Sequence, residues 1–131
     1  MVVLLAILLC AGLASAKAEK WILIDLSQQA LYCYEGDKVV FSTNISTGKS
    51  GNETPTGNFQ VFIKMRVGRA KKEYGGMKLN YCLAFNGDIM IHEFKSVPKR
   101  PASHGCVRTP KGKGHWVYDW CPRGTSVIVQ T

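Results

Sequence analysis

The strongest constraint on this chain is its punctuation: short apolar runs alternate with turn signals, and only one stretch suits a helix. Asn86-Gly87-Asp88 is the sharpest case. It separates residues 79–85 from 89–93, and an Asn-Gly pair between two such runs specifies a tight β-hairpin. Residues 21–25 and 30–34 flank a polar turn at 25–29, and Glu35-Gly36-Asp37-Lys38 leads into residues 39–46, where Val39, Phe41, Thr43 and Ile45 share one side. Residues 58–64 align Phe59, Val61 and Ile63, and residues 125–130 form a closing strand. The segments between read as loops: 47–57 with Pro55 fixing a bend, 65–78 basic and without period, and 94–101 bounded by prolines. Only residues 109–120 suit a helix, with Val117 and Trp120 one turn apart and Pro122 ending it. Many short strands with one or two short helices predict a mostly β fold, a sandwich or a barrel.

One domain fills most of the chain. The 131 residues leave room for no more, and the first sixteen read as a signal peptide. Residues 2–9 are continuously apolar, and Ala14-Ser15-Ala16 is a small-x-small cleavage site before Lys17. Cleavage there makes residues 17–131 an exported domain with no membrane span of its own. The formal net charge of +8 asks for an anionic neighbour. The basic residues are scattered and no nucleic-acid-binding signature occurs, so wall polymer or peptide carboxylates are the expected partner and nucleic acid is not.

Chemistry concentrates in Ser103-His104-Gly105-Cys106-Val107-Arg108. A thiol is a useful nucleophile only as thiolate, and reaching that state at neutral pH takes an imidazole or a cation nearby. Two histidines compete for that work. His92 ends the apolar run 89–93, from which it can project into a cleft, and His104 is two residues from the thiol; position alone leaves both open. Gly105 frees the backbone to turn N–H groups toward a developing oxyanion. Arg108 offers a fork for a substrate carboxylate or, alternatively, a structural ion pair. Ser103 reads as a turn-former, Tyr81 and Met90 as residues lining the cleft, and His115 as a surface residue.

Metal is not expected, because the cysteines are far apart and no C-x₂-C pair occurs; no cofactor is expected either. After loss of Cys10 with the signal, and with Cys106 set aside, Cys33, Cys82 and Cys121 remain. In an oxidising compartment one disulfide among these three is expected, tying the early hairpin at Cys33 to a later element.

Ser103–Arg108 preceded by Ile91-His92 resembles the signature of the L,D-transpeptidase catalytic domain, also called the YkuD domain. The resemblance extends to Trp21-Ile22-Leu23-Ile24-Asp25 and Gln29-Ala30-Leu31-Tyr32, to Ser46-Thr47-Gly48 and Thr54-Pro55-Thr56-Gly57, and to Gly124-Thr125-Ser126-Val127. It implies a β-sandwich-like mixed fold with Cys106 on a loop at one end of a cleft. It also implies an exported cysteine acyltransferase of the periplasm or cell wall, acting on peptidoglycan stem peptides through a thioester on Cys106. The acceptor is an amine of a second stem, a protein, or water, which would make it an L,D-carboxypeptidase. By the same resemblance His92 is the base, held by a backbone carbonyl just downstream, and the backbone of His104 and Gly105 with the Cys106 N–H forms the oxyanion hole. Two departures stand out: Glu93 occupies a position where the family commonly has Gly, and the loop 94–102 is short. Two other classes fit the same sequence: a weakly active wall-binding module, and a disulfide-stapled effector with all four mature cysteines paired.

Overall fold

The computed structural model describes residues 18–131; the signal-peptide reading falls on residues 1–16, outside them. Two sheets face each other. The first contains β1 (Lys20–Asp25), β2 (Ala30–Glu35), β3 (Lys38–Asn44), β4 (Gly57–Gln60) and β9 (Ser126–Gln130), in the order β3-β2-β1-β9-β4. The second contains β5 (Ile63–Arg69), β6 (Lys78–Asn86), β7 (Ile89–Glu93) and β8 (Val107–Thr109), in that order. Among the described residues one α-helix, α1 (Lys113–Trp120), connects β8 to β9. The expected mostly β, sandwich-like mixed fold is what forms, mixed because β1–β9 and β7–β8 pair in parallel.

Alternation explains the core. Side chains two apart on a strand share a face, so Ile22 and Ile24 of β1, Leu31 and Cys33 of β2, and Val127 and Val129 of β9 all turn inward. They pack with Leu83, Phe85, Ile91 and Val107 of the second sheet and with Val117 of α1. A smaller cluster of Leu79, Cys82, Ala84 and Met90 covers the opposite face of the second sheet, and Cys106 packs against it.

Two stretches differ from expectation. The single strand expected at 58–64 is two strands in different sheets. Val61 is buried at the crossing, with its N–H donated to Thr125 and that of Phe62 to Ala84, and beyond it Phe62 and Ile63 are exposed. The expected loop at 65–78 is half strand: β5 runs through Arg69 and pairs with β6 to form a hairpin tipped by a 3-10 turn, Lys72–Tyr74. Most of β5 buries no face, Val67 being 52% exposed, so no hydrophobic period marks it.

The expected disulfide is absent too. Cys33, Cys82, Cys106 and Cys121 are all free, which also excludes the fully paired scaffold for this structure. Cys33 and Cys121 pack as small apolar groups in the main core while Cys82 sits in the other cluster.

Candidate active site

The parallel pairing of β7 with β8 builds the site. Ile91 lies beside Val107 and His92 beside Arg108. Because faces alternate, Ile91 and Val107 go to the core, while Met90 and His92 share the outer face with Cys106 and Arg108. These four side chains, with Ser103 and His104, line a cleft of about 350 Å³. Its far wall is the β5–β6 hairpin, which contributes Arg69, Lys71, Tyr74 and Met77.

Cys106 immediately precedes β8, in a turn closed by Ser103. The Ser103 hydroxyl donates to the Cys106 carbonyl at 2.6 Å and accepts the Gly105 N–H at 3.1 Å. Gly105 adopts φ +132°, a conformation other residues rarely take. Its N–H is therefore engaged inside the turn, whereas among the described residues those of His104 and Cys106 have no partner. The Gly105 N–H, one of the donors implied by the family resemblance, is thus already committed, which leaves those of His104 and Cys106 unengaged.

His92 is buried, and its Nδ1 lies 2.8 Å from the Glu93 carbonyl oxygen. A carbonyl only accepts, so Nδ1 carries the proton and the neutral ring's lone pair is on Nε2. Burial, and secondarily the Arg108 charge, hold the His92 pKa below its ordinary value despite the opposing carbonyl bond. A lowered value favours the neutral imidazole at pH 7.

Burial also raises the Cys106 thiol above its ordinary value. The Met90 N–H donated to Sγ at 3.4 Å, Lys71 and Arg108 oppose that rise, and Asp88 reinforces it. Both shifts run in the direction that favours a resting thiol beside a neutral imidazole over a thiolate–imidazolium pair.

Other expected residues divide. Arg108 has no ion-pair partner among the described residues; its guanidinium lies 4.2 Å from the Phe94 ring centre, open to the cleft. Met90 lines the cleft as expected. Tyr81 does not. Strict alternation would put it on the face of Leu79, but β6 shifts register between Asn80 and Leu83, and Tyr81 takes φ +54°. The bulge moves Cys82 onto the cleft side and stacks Tyr81 on His115, ring centres 4.1 Å apart. His115 is exposed and 3.1 Å from Asp119. No group of three His, Cys, Asp or Glu comes together among the described residues.

Sequence reasoning missed the residues that hold the turn. The Thr47 carbonyl accepts the N–H groups of Ala102 and Ser103 at 3.0 Å each, and Thr47 is itself fixed by the buried amide of Gln29. Thr54 Oγ1 donates to the Gly105 carbonyl at 2.7 Å and accepts the Gly48 N–H at 3.0 Å. Ser46 exchanges backbone bonds with Arg108. The only signal for this was the run of hydroxyl residues in 46–56, some of it part of the family resemblance. Tyr74 was missed as well: its ring stacks on His104 with centres 3.9 Å apart.

Comparison with known proteins bears on the fold and the family. The family model of the L,D-transpeptidase catalytic domain (YkuD) matches residues 19–129. The chain belongs to this family. YciB, a Bacillus subtilis (strain 168) protein that carries an L,D-transpeptidase name, is 25% identical over 125 residues, covering 83% of this chain and 64% of its own. An L,D-transpeptidase from Stackebrandtia nassauensis superposes with a TM-score of 0.79 at 28% identity, covering 88% of this chain and 57% of that one. The L,D-transpeptidase from Mycobacterium smegmatis shares the fold, with a TM-score of 0.80 at 22% identity over 87% of this chain and 59% of that one. The chain thus spans less than two thirds of the length of each of these relatives.

Proposed function

We propose that this chain is an exported L,D-transpeptidase that forms a thioester on Cys106 from a peptidoglycan stem peptide. The observation that carries the reading is the shared face of His92 and Cys106 in one cleft, with His92 Nδ1 committed to the Glu93 carbonyl. In the first half-reaction Nε2 of His92 takes the thiol proton as Sγ attacks the carbonyl carbon of the stem's L-centre. The oxyanion falls to the N–H groups of His104 and Cys106. Collapse breaks the C–N bond, and His92 returns its proton to the departing amine of the terminal D-residue. In the second, an acceptor amine attacks the thioester, His92 takes its proton, and the thiol is restored. Arg108 is the cation for a stem carboxylate, and Met90 with Ser103 shapes the cleft around it. Export to the periplasm or cell wall, and affinity for anionic wall material through the +8 charge, belong to the same reading.

Intact-mass measurement after incubation with a tetrapeptide stem tests it. The expected product is a Cys106 adduct equal to the stem without its terminal residue, absent in Cys106→Ala. No adduct under any stem composition would leave only the wall-binding reading. Adding an amine acceptor separates transpeptidation from hydrolysis, since a carboxypeptidase releases the free tripeptide regardless of the amine.

A further inference from the structure

Glu93 is the group this chemistry leaves unused. It is a carboxylate at a strand end, only 8% exposed. Its Oε2 accepts the N–H of Gly112 at 2.7 Å and that of His115 at 2.8 Å. Gly112 is the N-cap of α1 and offers no side chain of its own, so Glu93 caps the helix from a neighbouring strand. A carboxylate is also the favourable charge at that helix end. Its path depends on Gly114: a Cβ there would run into both the Glu93 side chain and Thr109 Oγ1.

The same residue's main chain is what orients His92. The Glu93 carbonyl accepts from Nδ1 at 2.8 Å. Thr109 Oγ1 donates to the His92 carbonyl at 3.0 Å, and the Phe94 N–H donates to the Thr109 carbonyl at 2.9 Å. The backbone around Glu93 is thus held by β8 on one side and, through its own carboxylate, by the first turn of α1 on the other.

We infer that Glu93 is a positioning residue: its carboxylate ties the end of β7 to α1 and so fixes the carbonyl that selects the Nδ1–H tautomer of His92. Gly114 is the position that makes room for this tie. The inference rests on the proposed role of His92 as base, but its readouts need no stem peptide.

Nitrogen-15 NMR of the histidine rings, with iodoacetamide alkylation of Cys106, tests it in the full chain. The wild type should show His92 protonated at Nδ1 and bare at Nε2. Glu93→Ala should mix the tautomers and slow neutral-pH alkylation by about tenfold or more, as when the partner orienting a functional histidine is lost. Glu93→Gln, whose amide oxygen still accepts, should restore both. Glu93→Asp, too short to reach both N–H groups, should resemble Glu93→Ala and serves if that variant does not fold. Gly114→Ala, a change that ordinarily favours a helix, should instead loosen the tautomer. A lower melting temperature in Glu93→Ala or Glu93→Asp, with the wild-type tautomer and alkylation rate retained, would reduce Glu93 to a helix cap and overturn the inference. A wild type that forms no acyl-enzyme but shows these tautomer shifts would sink the transpeptidase reading alone.

Discussion

The two walls of the cleft are built from different material. The turn that carries Cys106 is stitched down by hydrogen bonds from Thr47, Lys49 and Thr54 and by its own Ser103, several of them buried. The facing hairpin tip, Lys72–Tyr74, buries no residue. What holds it to the other wall is the Lys71–Asp88 pair at 2.9 Å, more than half exposed on both sides, and the Tyr74–His104 stack. Buried hydrogen bonds are costly to lose, whereas exposed ion pairs are screened and weak. The nucleophile side is therefore the more firmly held of the two walls.

The sharpest way to break this contrast is at the base. His92→Ala should lower the acylation rate by about 10²–10⁴-fold, the usual worth of general base catalysis. His104→Ala should cost less in thiol reactivity, since its place is beside the oxyanion and under Tyr74. Next comes the stitching. Thr54→Ala removes a hydroxyl serving two buried backbone groups, and should destabilise by about 1–3 kcal/mol and slow acylation together. The smallest effects belong to the hairpin tip. Lys71→Ala and Tyr74→Ala should change KM for a stem peptide with no detectable change in melting temperature. A Tyr74 variant that lowered stability as much as Thr54→Ala would erase the distinction between the walls.

The two clusters of buried apolar side chains supply a pH test of the same packing. Burial pushes the Cys33 thiol up to about 12 and the Cys82 thiol to about 11. Folded values above the unfolded ones mean that this contribution to stability is intact below about pH 8.5, where free thiols stay protonated, and is lost as pH rises toward the folded values. Melting temperature should therefore decline above that pH, and less steeply in Cys33→Ala when each protein is compared with its own value at pH 7.

How much of this was legible in sequence follows from where side chains alternate. β1, β2, β7 and β9 each bury one face or more, so their period showed, and with it the position of His92 at a strand end. Cys106 was legible as chemistry, from its neighbours and the family resemblance. Most of β5 buries nothing and left no pattern. Tyr81 was misplaced because one extra residue in β6 inverts its face, and the missing disulfide was inferred from compartment and not from proximity. The Thr47 tie was hidden because it runs through a backbone carbonyl, which every residue possesses, and the Thr54 tie because its hydroxyl serves backbone groups as far as 51 residues away in sequence.

In the proposed reaction Cys106 attacks as a neutral thiol whose proton goes to His92. The most direct measurement is the rate of Cys106 acylation by a tetrapeptide stem as a function of pH, in the wild type, His92→Ala and His104→Ala. The His92 pKa lies below its ordinary value of 6.5, so the wild-type rate should rise with pH below that value and then level off. His92→Ala should lose that plateau and rise only in the alkaline range where the buried thiol ionises, while His104→Ala should keep the wild-type profile at a lower level. A His104→Ala profile displaced to alkaline pH, with His92→Ala unchanged, would contradict the account and make His104 the base.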